Sequence, residues 1–139
     1  MARETDLMRS VAWLLLAALP AAAATLELKI DNVASDEGKL MIALYDKAGD
    51  WRERPARSVM QAAAKGTVSV RFDDLPPGDY AFALYHDRNG NGKLDANVMG
   101  IPREPYGFSG RGAAIGPASW DQARFALPAD GTEVVVKLS

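Results

Sequence analysis

Val68-Ser69-Val70-Arg71-Phe72-Asp73-Asp74-Leu75-Pro76-Pro77-Gly78-Asp79-Tyr80-Ala81-Phe82-Ala83-Leu84-Tyr85 is the stretch that decides the fold class. Val68, Val70 and Phe72 alternate with Ser69 and Arg71, and Tyr80, Phe82 and Leu84 alternate with Ala81, Ala83 and Tyr85. Successive side chains of a strand point to opposite faces, so a period of two in apolar character predicts two strands that each bury one face. Between them, two prolines fix the backbone and remove two hydrogen-bond donors, while glycine allows a positive φ; Leu75-Pro76-Pro77-Gly78 is therefore expected to be a hairpin turn.

The same period recurs on either side. Leu26, Leu28 and Ile30 alternate with charged residues, and Val134, Val136 and Leu138 form a last strand after the Asp130-Gly131 turn. Leu40-Met41-Ile42-Ala43-Leu44-Tyr45 is apolar on both faces, as expected of a central strand covered on both sides, and Asp36-Glu37-Gly38 before it reads as a second hairpin turn. A shorter strand is expected at 58–62, a loop at 46–57 with one helical turn capped by Asp50, and another helical turn opened by Ser119. Short strands separated by turn signals at intervals of about 8–12 residues, with no helical periodicity, predict an all-β antiparallel sandwich of about seven strands. Leu28, Ile42, Val70, Phe82 and Val136 should share its core.

Residues 1–24 carry two arginines, an apolar run centred on Leu14-Leu15-Leu16, and alanines at positions 22 and 24, the pattern of a signal peptide cleaved before Thr25. Residues 25–139 then form a single domain, with no membrane span after cleavage and a periplasmic or secreted location. The 1–24 segment holds as many basic as acidic residues, so the net charge of −2 is unchanged by its loss. That balance speaks against nucleic acid as a partner, which requires a basic face. The chain has no cysteine, which excludes thiol catalysis, disulfides and thiolate-bound metals. It is expected to act as a monomer.

Residues 87–117 are rich in glycine and proline and contain no clear strand, and a connection this long inside a compact domain is usually functional or disordered. Tyr106 and Phe108 in its second half are expected to pack it down, giving one long ordered loop. At its start Asp87, Asn89, Asn91, Lys93 and Asp95 occupy positions 1, 3, 5, 7 and 9 of a calcium loop, with Gly92 at the sharp turn of position 6. In such a loop Lys93 would offer its backbone carbonyl. Val98 stands where a bidentate acid should close the cage, so a calcium ion would be held weakly unless Glu104 folds back to replace it. The competing reading is that Asn89-Gly90 and Asn91-Gly92 are simply turn pairs whose side chains bond their own backbone.

Leu-Pro-Pro-Gly-Asp-Tyr at 75–80, Tyr-His-Asp-Arg-Asn-Gly-Asn-Gly-Lys-Leu-Asp at 85–95 and Met-Gly-Ile-Pro-Arg-Glu-Pro-Tyr-Gly-Phe-Ser at 99–109 resemble an uncharacterised bacterial exported family, domain of unknown function 2141. The resemblance extends over nearly all of 25–139. It implies export and an immunoglobulin-like or prealbumin-like sandwich and carries no activity with it. Leu-Pro-Pro-Gly-x-Tyr is also similar to carboxypeptidase regulatory-like and collagen-adhesin B-type modules, sandwiches without catalysis of their own.

His86 is the only histidine. It falls on the strand face of Tyr80, Phe82 and Leu84, where core packing is the simpler role; an enzyme would need a nucleophile such as Ser109 or Tyr106 beside it. Arg103, Tyr106, Phe108, Arg111 and Trp120 form a candidate ligand groove, aromatic rings stacking on a sugar or peptide and arginines meeting an anion. Asp73-Asp74 reads as a solvated turn flank. The functional expectation is a non-catalytic binding or structural module of the cell envelope, its partner an envelope protein or polysaccharide. The alternative is a polysaccharide- or protein-binding module that uses the 87–117 surface, and the third reading is an enzyme built around His86.

Overall fold

A computed structural model describes residues 23–96, 98–100, 102–111 and 116–139. The expected leader lies outside the described residues except for Ala23 and Ala24, and Ala24 opens the first strand as a buried residue. The strands are β1 (Ala24–Val33), β2 (Lys39–Tyr45), β3 (Arg57–Ala62), β4 (Gly66–Leu75), β5 (Gly78–Asp87), β6 (Tyr106–Phe108), β7 (Phe125–Leu127) and β8 (Thr132–Lys137), with a helical turn α1 (Trp120–Ala123) before β7. They form two sheets, β4-β1-β8 and β3-β2-β5-β6, and β7 also pairs with β5. The all-β sandwich is as expected. One pairing departs from a purely antiparallel arrangement: β1 runs parallel to β8, with Leu28 opposite Val134 and Ile30 opposite Val136.

Alternation sets which side chains face inward, and the two inner faces meet in one core. Leu26, Leu28, Ile30, Val70 and Phe72 of the three-stranded sheet pack against Leu40, Ile42, Leu44, Phe82 and Leu84 of the other, and Val136 completes the contact. Phe82 lies between Phe72 and Phe125, with ring centroids 5.4 and 5.7 Å away. All five core residues named from the sequence are in this cluster.

Neither of the two expected hairpins is a hairpin. β1 and β2 belong to different sheets, as do β4 and β5, so Asp36-Glu37-Gly38 and Pro76-Pro77-Gly78 are arches that carry the chain from one layer to the other. The second arch is fixed by Tyr80, whose hydroxyl donates to the carbonyl of Pro76 at 2.6 Å, the geometry of a tyrosine corner. At the first arch Gly38 has φ +66°, and a Cβ there would overlap the carbonyl oxygen of Asp87. Only glycine permits both the turn and the close approach to the end of β5. In the 46–57 loop Asp50 ends a 3-10 turn (Ala48–Asp50) instead of capping a helix, and its carbonyl accepts from Glu53 and Arg54.

β2 is central, paired with β3 and β5, but it is not covered on both faces. Its outward residues Met41 and Ala43 are half-buried and form part of the floor of an open groove. The expected second cover is missing because the outward cluster of Ala81, Ala118 and Ala123 stops short of Met41 and Ala43. Ser119 caps α1 as expected: its hydroxyl accepts the N–H of Gln122 while the Gln122 side chain accepts the N–H of Ser119, a full capping box.

Candidate functional site

β5 ends at Asp87, whose side chain follows Ala83 and Tyr85 on the outward face of the sheet. One carboxylate oxygen, Oδ2, accepts the N–H of Gly92 at 2.8 Å, so position 1 of the sequence pattern is tied to position 6. The other, Oδ1, is buried and has no hydrogen-bond partner. An unpartnered buried carboxylate oxygen is costly and rare in a folded protein.

The alternating asparagines form two Asx turns. Asn89 Oδ1 accepts the N–H of Asn91 at 3.2 Å, and Asn91 Oδ1 accepts the N–H of Lys93 at 2.9 Å. Their amide groups turn toward Asp95: Asn91 Nδ2 donates to Asp95 Oδ1 at 2.6 Å, and Asn89 Nδ2 donates to Oδ2. These two bonds, Asn91 first, hold the Asp95 carboxyl below its ordinary range, with the charge of Arg103 acting in the same direction.

Glu104 does fold back, and it is 5% exposed. Its Oε2 accepts the N–H of Arg88 at 2.7 Å and its Oε1 accepts the N–H of Asp95 at 3.0 Å. The carboxylate thus clasps both ends of the loop by satisfying backbone donors. Val98, at the expected closing position, is fully exposed. Among the described residues no three acidic or histidine side chains converge closely enough to hold an ion. A cation here would draw on Asp87 Oδ1, the Asn89 and Asn91 amide oxygens after rotation, the Lys93 carbonyl and Asp95, a hard-oxygen set suited to calcium.

His86 points inward and is fully buried. Its Nε2 lies 2.6 Å from the Glu37 carbonyl, and Nδ1 has no partner. Ser109 is committed elsewhere: its hydroxyl accepts the N–H of Phe82 at 2.7 Å and donates to the carbonyl of Ala123 at 2.7 Å. That position has a structural logic. β7 pairs with β5 at Gly78, Asp79 and Tyr80, and β6 pairs with it at Ala83, Leu84 and Tyr85. Ser109 fills the gap at Phe82 and fastens α1 to the sheet.

The candidate groove residues part company. Tyr106 and Phe108 do line a groove of about 680 Å³, but on the outward face of the five-stranded sheet, together with Met41, Tyr45 and Tyr85. Trp120 instead packs edge-on against Trp51 at 6.0 Å in a small cluster over Ala81 and Ala123. Arg103 lines a separate polar recess with Arg88, Glu37 and Glu104. Arg111 is exposed, its N–H donating to the Gln122 carbonyl. The outward-face groove escaped the sequence reading, although the second apolar face of β2 was its signal.

A family model described as an uncharacterized protein conserved in bacteria, domain of unknown function 2141, matches residues 28–135, and the chain belongs to that family. No curated protein and no solved structure matches it. Among the described residues no helix is long and apolar enough to cross a membrane.

Proposed function

We propose that this member of a bacterial family is a non-catalytic binding or structural module of the cell envelope, exported by its 1–24 segment to the periplasm or beyond, whose 87–95 loop is set by one weakly held calcium ion. The observation that carries the metal reading is Asp87: one oxygen is fixed by Gly92, and the second is buried with nothing to bond. A calcium ion would supply its partner. With Asp87 and Asp95 as the only charged ligands and Glu104 already engaged by backbone N–H groups, the affinity belongs in the weak range of extracellular modules, about 10⁻⁴ to 10⁻³ M. The commitment of Ser109 to Phe82 and Ala123, away from His86, supports a role without catalysis.

A thermal melt in 10 mM calcium against 10 mM magnesium tests the metal. At ten times the dissociation constant, binding to the folded state stabilises it by about 1.4 kcal/mol, a rise of about 4 °C or more in Tm. Magnesium should do less, because it demands octahedral geometry and gives up water reluctantly. An unmoved melt, or an equal shift in Asp87→Ala, would leave the loop a self-contained turn. Export is tested separately by the intact mass of the protein recovered outside the cytosol, which should begin at Thr25; a mature chain that keeps Met1 contradicts it.

A further inference from the structure

We infer that the outward face of the β3-β2-β5-β6 sheet is a binding site for a single-chain amphiphile with an anionic head, the tail lying on Ala43 and Ala83 and the head meeting Arg52.

The groove follows from the register. Ala43 stands opposite Ala83 on β5 and opposite Ser58 on β3, so three small residues lie side by side across the strands. The next outward row is large: Met41 stands opposite Tyr85 and opposite Met60. Small residues beside large ones make a trough, and its volume of about 680 Å³ lies within the ~300–1,000 Å³ typical of small-molecule sites. Met60 is 64% exposed on the rim, and methionine side chains adapt to flexible apolar partners.

Charge chooses the occupant and its direction. Arg52 lines the groove and makes no ion pair among the described residues. It also holds a φ of +63°, a conformation that a long side chain seldom adopts. Its charge reaches the Tyr45 hydroxyl, opposing the upward push that burial gives that group. Among the described residues Arg52 is the only charged side chain that lines the groove. Tyr45 and Tyr85 sit four residues apart in register, about 13 Å at ~3.3 Å per residue. The groove therefore carries charge only at its Arg52 end, and that end attracts an anionic head. A sugar is disfavoured because the floor offers alanines where hydroxyls would need partners.

The site is separate from the calcium reading, so each can fail alone. The test is titration calorimetry of the exported chain, without calcium, with dodecanoate below its micelle concentration. Dodecyltrimethylammonium, dodecyl maltoside and maltohexaose serve as comparisons, and Trp51, whose ring lies 5.0 Å from Tyr45, gives a fluorescence readout. Dodecanoate should bind best, with each added methylene worth up to about fourfold in affinity. Arg52→Gln should weaken it about tenfold or more, and Arg52→Lys less. Met60→Glu, a change at an exposed position, should remove binding without unfolding the protein. Equal binding of the cationic amphiphile, no dependence on chain length, an unaffected Arg52→Gln variant, or binding of maltohexaose in preference would each overturn the assignment.

Discussion

Glu104 accepts the backbone N–H of Arg88 at 2.7 Å across sixteen residues of chain, and with its second oxygen on the N–H of Asp95 it closes the loop that leaves β5. A buried carboxylate is stable only when its oxygens are satisfied. Here two backbone donors do that, and they in turn would be stranded without it. The loop's shape therefore depends on Glu104 as well as on its own glycines.

Glu104→Gln tests this clasp. The amide keeps one acceptor and turns an NH₂ toward a backbone N–H, so one charge-assisted bond becomes a clash of donors. The expected loss is about 1.5–3 kcal/mol in urea denaturation, with faster hydrogen exchange at Arg88 and Asp95. Unchanged exchange at both amides would contradict the clasp.

Ser109→Ala should cost about 1–3 kcal/mol, because it strands the N–H of Phe82 and removes a donor to Ala123 at a fully buried position. The check is the denaturation midpoint, with Ser69→Ala on an exposed β4 position as the comparison. Equal effects would mean that the gap between β6 and β7 does not need the hydroxyl.

Asp95 supplies a pH dependence. Hydrogen bonds from Asn91 and Asn89 lower its folded pKa below the unfolded value of about 3.9. The stabilisation is therefore present above that value and is lost as pH falls through the folded pKa. The side-chain amide resonances of Asn89 and Asn91 should shift with a midpoint below the ordinary aspartate range and stay flat in Asp95→Asn. A midpoint at or above that range would show that the amides do not hold the carboxylate.

Alternation along Leu26-Leu28-Ile30 and Tyr80-Phe82-Leu84 made the strands and the core readable, because it fixes the face that each side chain presents. It does not fix the partner strand. Both turns read as hairpins are arches, and nothing local distinguishes a chain that returns beside itself from one that crosses the core. The parallel pairing of β1 with β8 joins strands about a hundred residues apart in sequence, beyond the reach of local signals. β6 was missed because three residues centred on a glycine show no period. At the candidate site the oxygen-bearing residues of 87–95 were legible from their spacing, whereas Ser109 and the Ala43-Ala83 trough depend on register.

Gly107 links the fold to the groove. It lies between Tyr106 and Phe108 in β6, and a Cβ there would press on the Val136 Cγ1 methyl and the Lys137 carbonyl of β8. Both of those belong to the opposite sheet, and Tyr106 and Ser139 exchange backbone hydrogen bonds at 3.3 and 3.2 Å beside the contact. Gly107→Ala should therefore push β6 outward, costing about 1–3 kcal/mol through overpacking and moving the two aromatic rings that wall the groove. Gly49→Ala, where a Cβ meets nothing, should be neutral or stabilising by about 0.4–1 kcal/mol. Paired urea melts, with Trp51 fluorescence as a local readout, separate the two. If Gly107→Ala matches Gly49→Ala, β6 is not held against β8 and the wall of the groove is free to move.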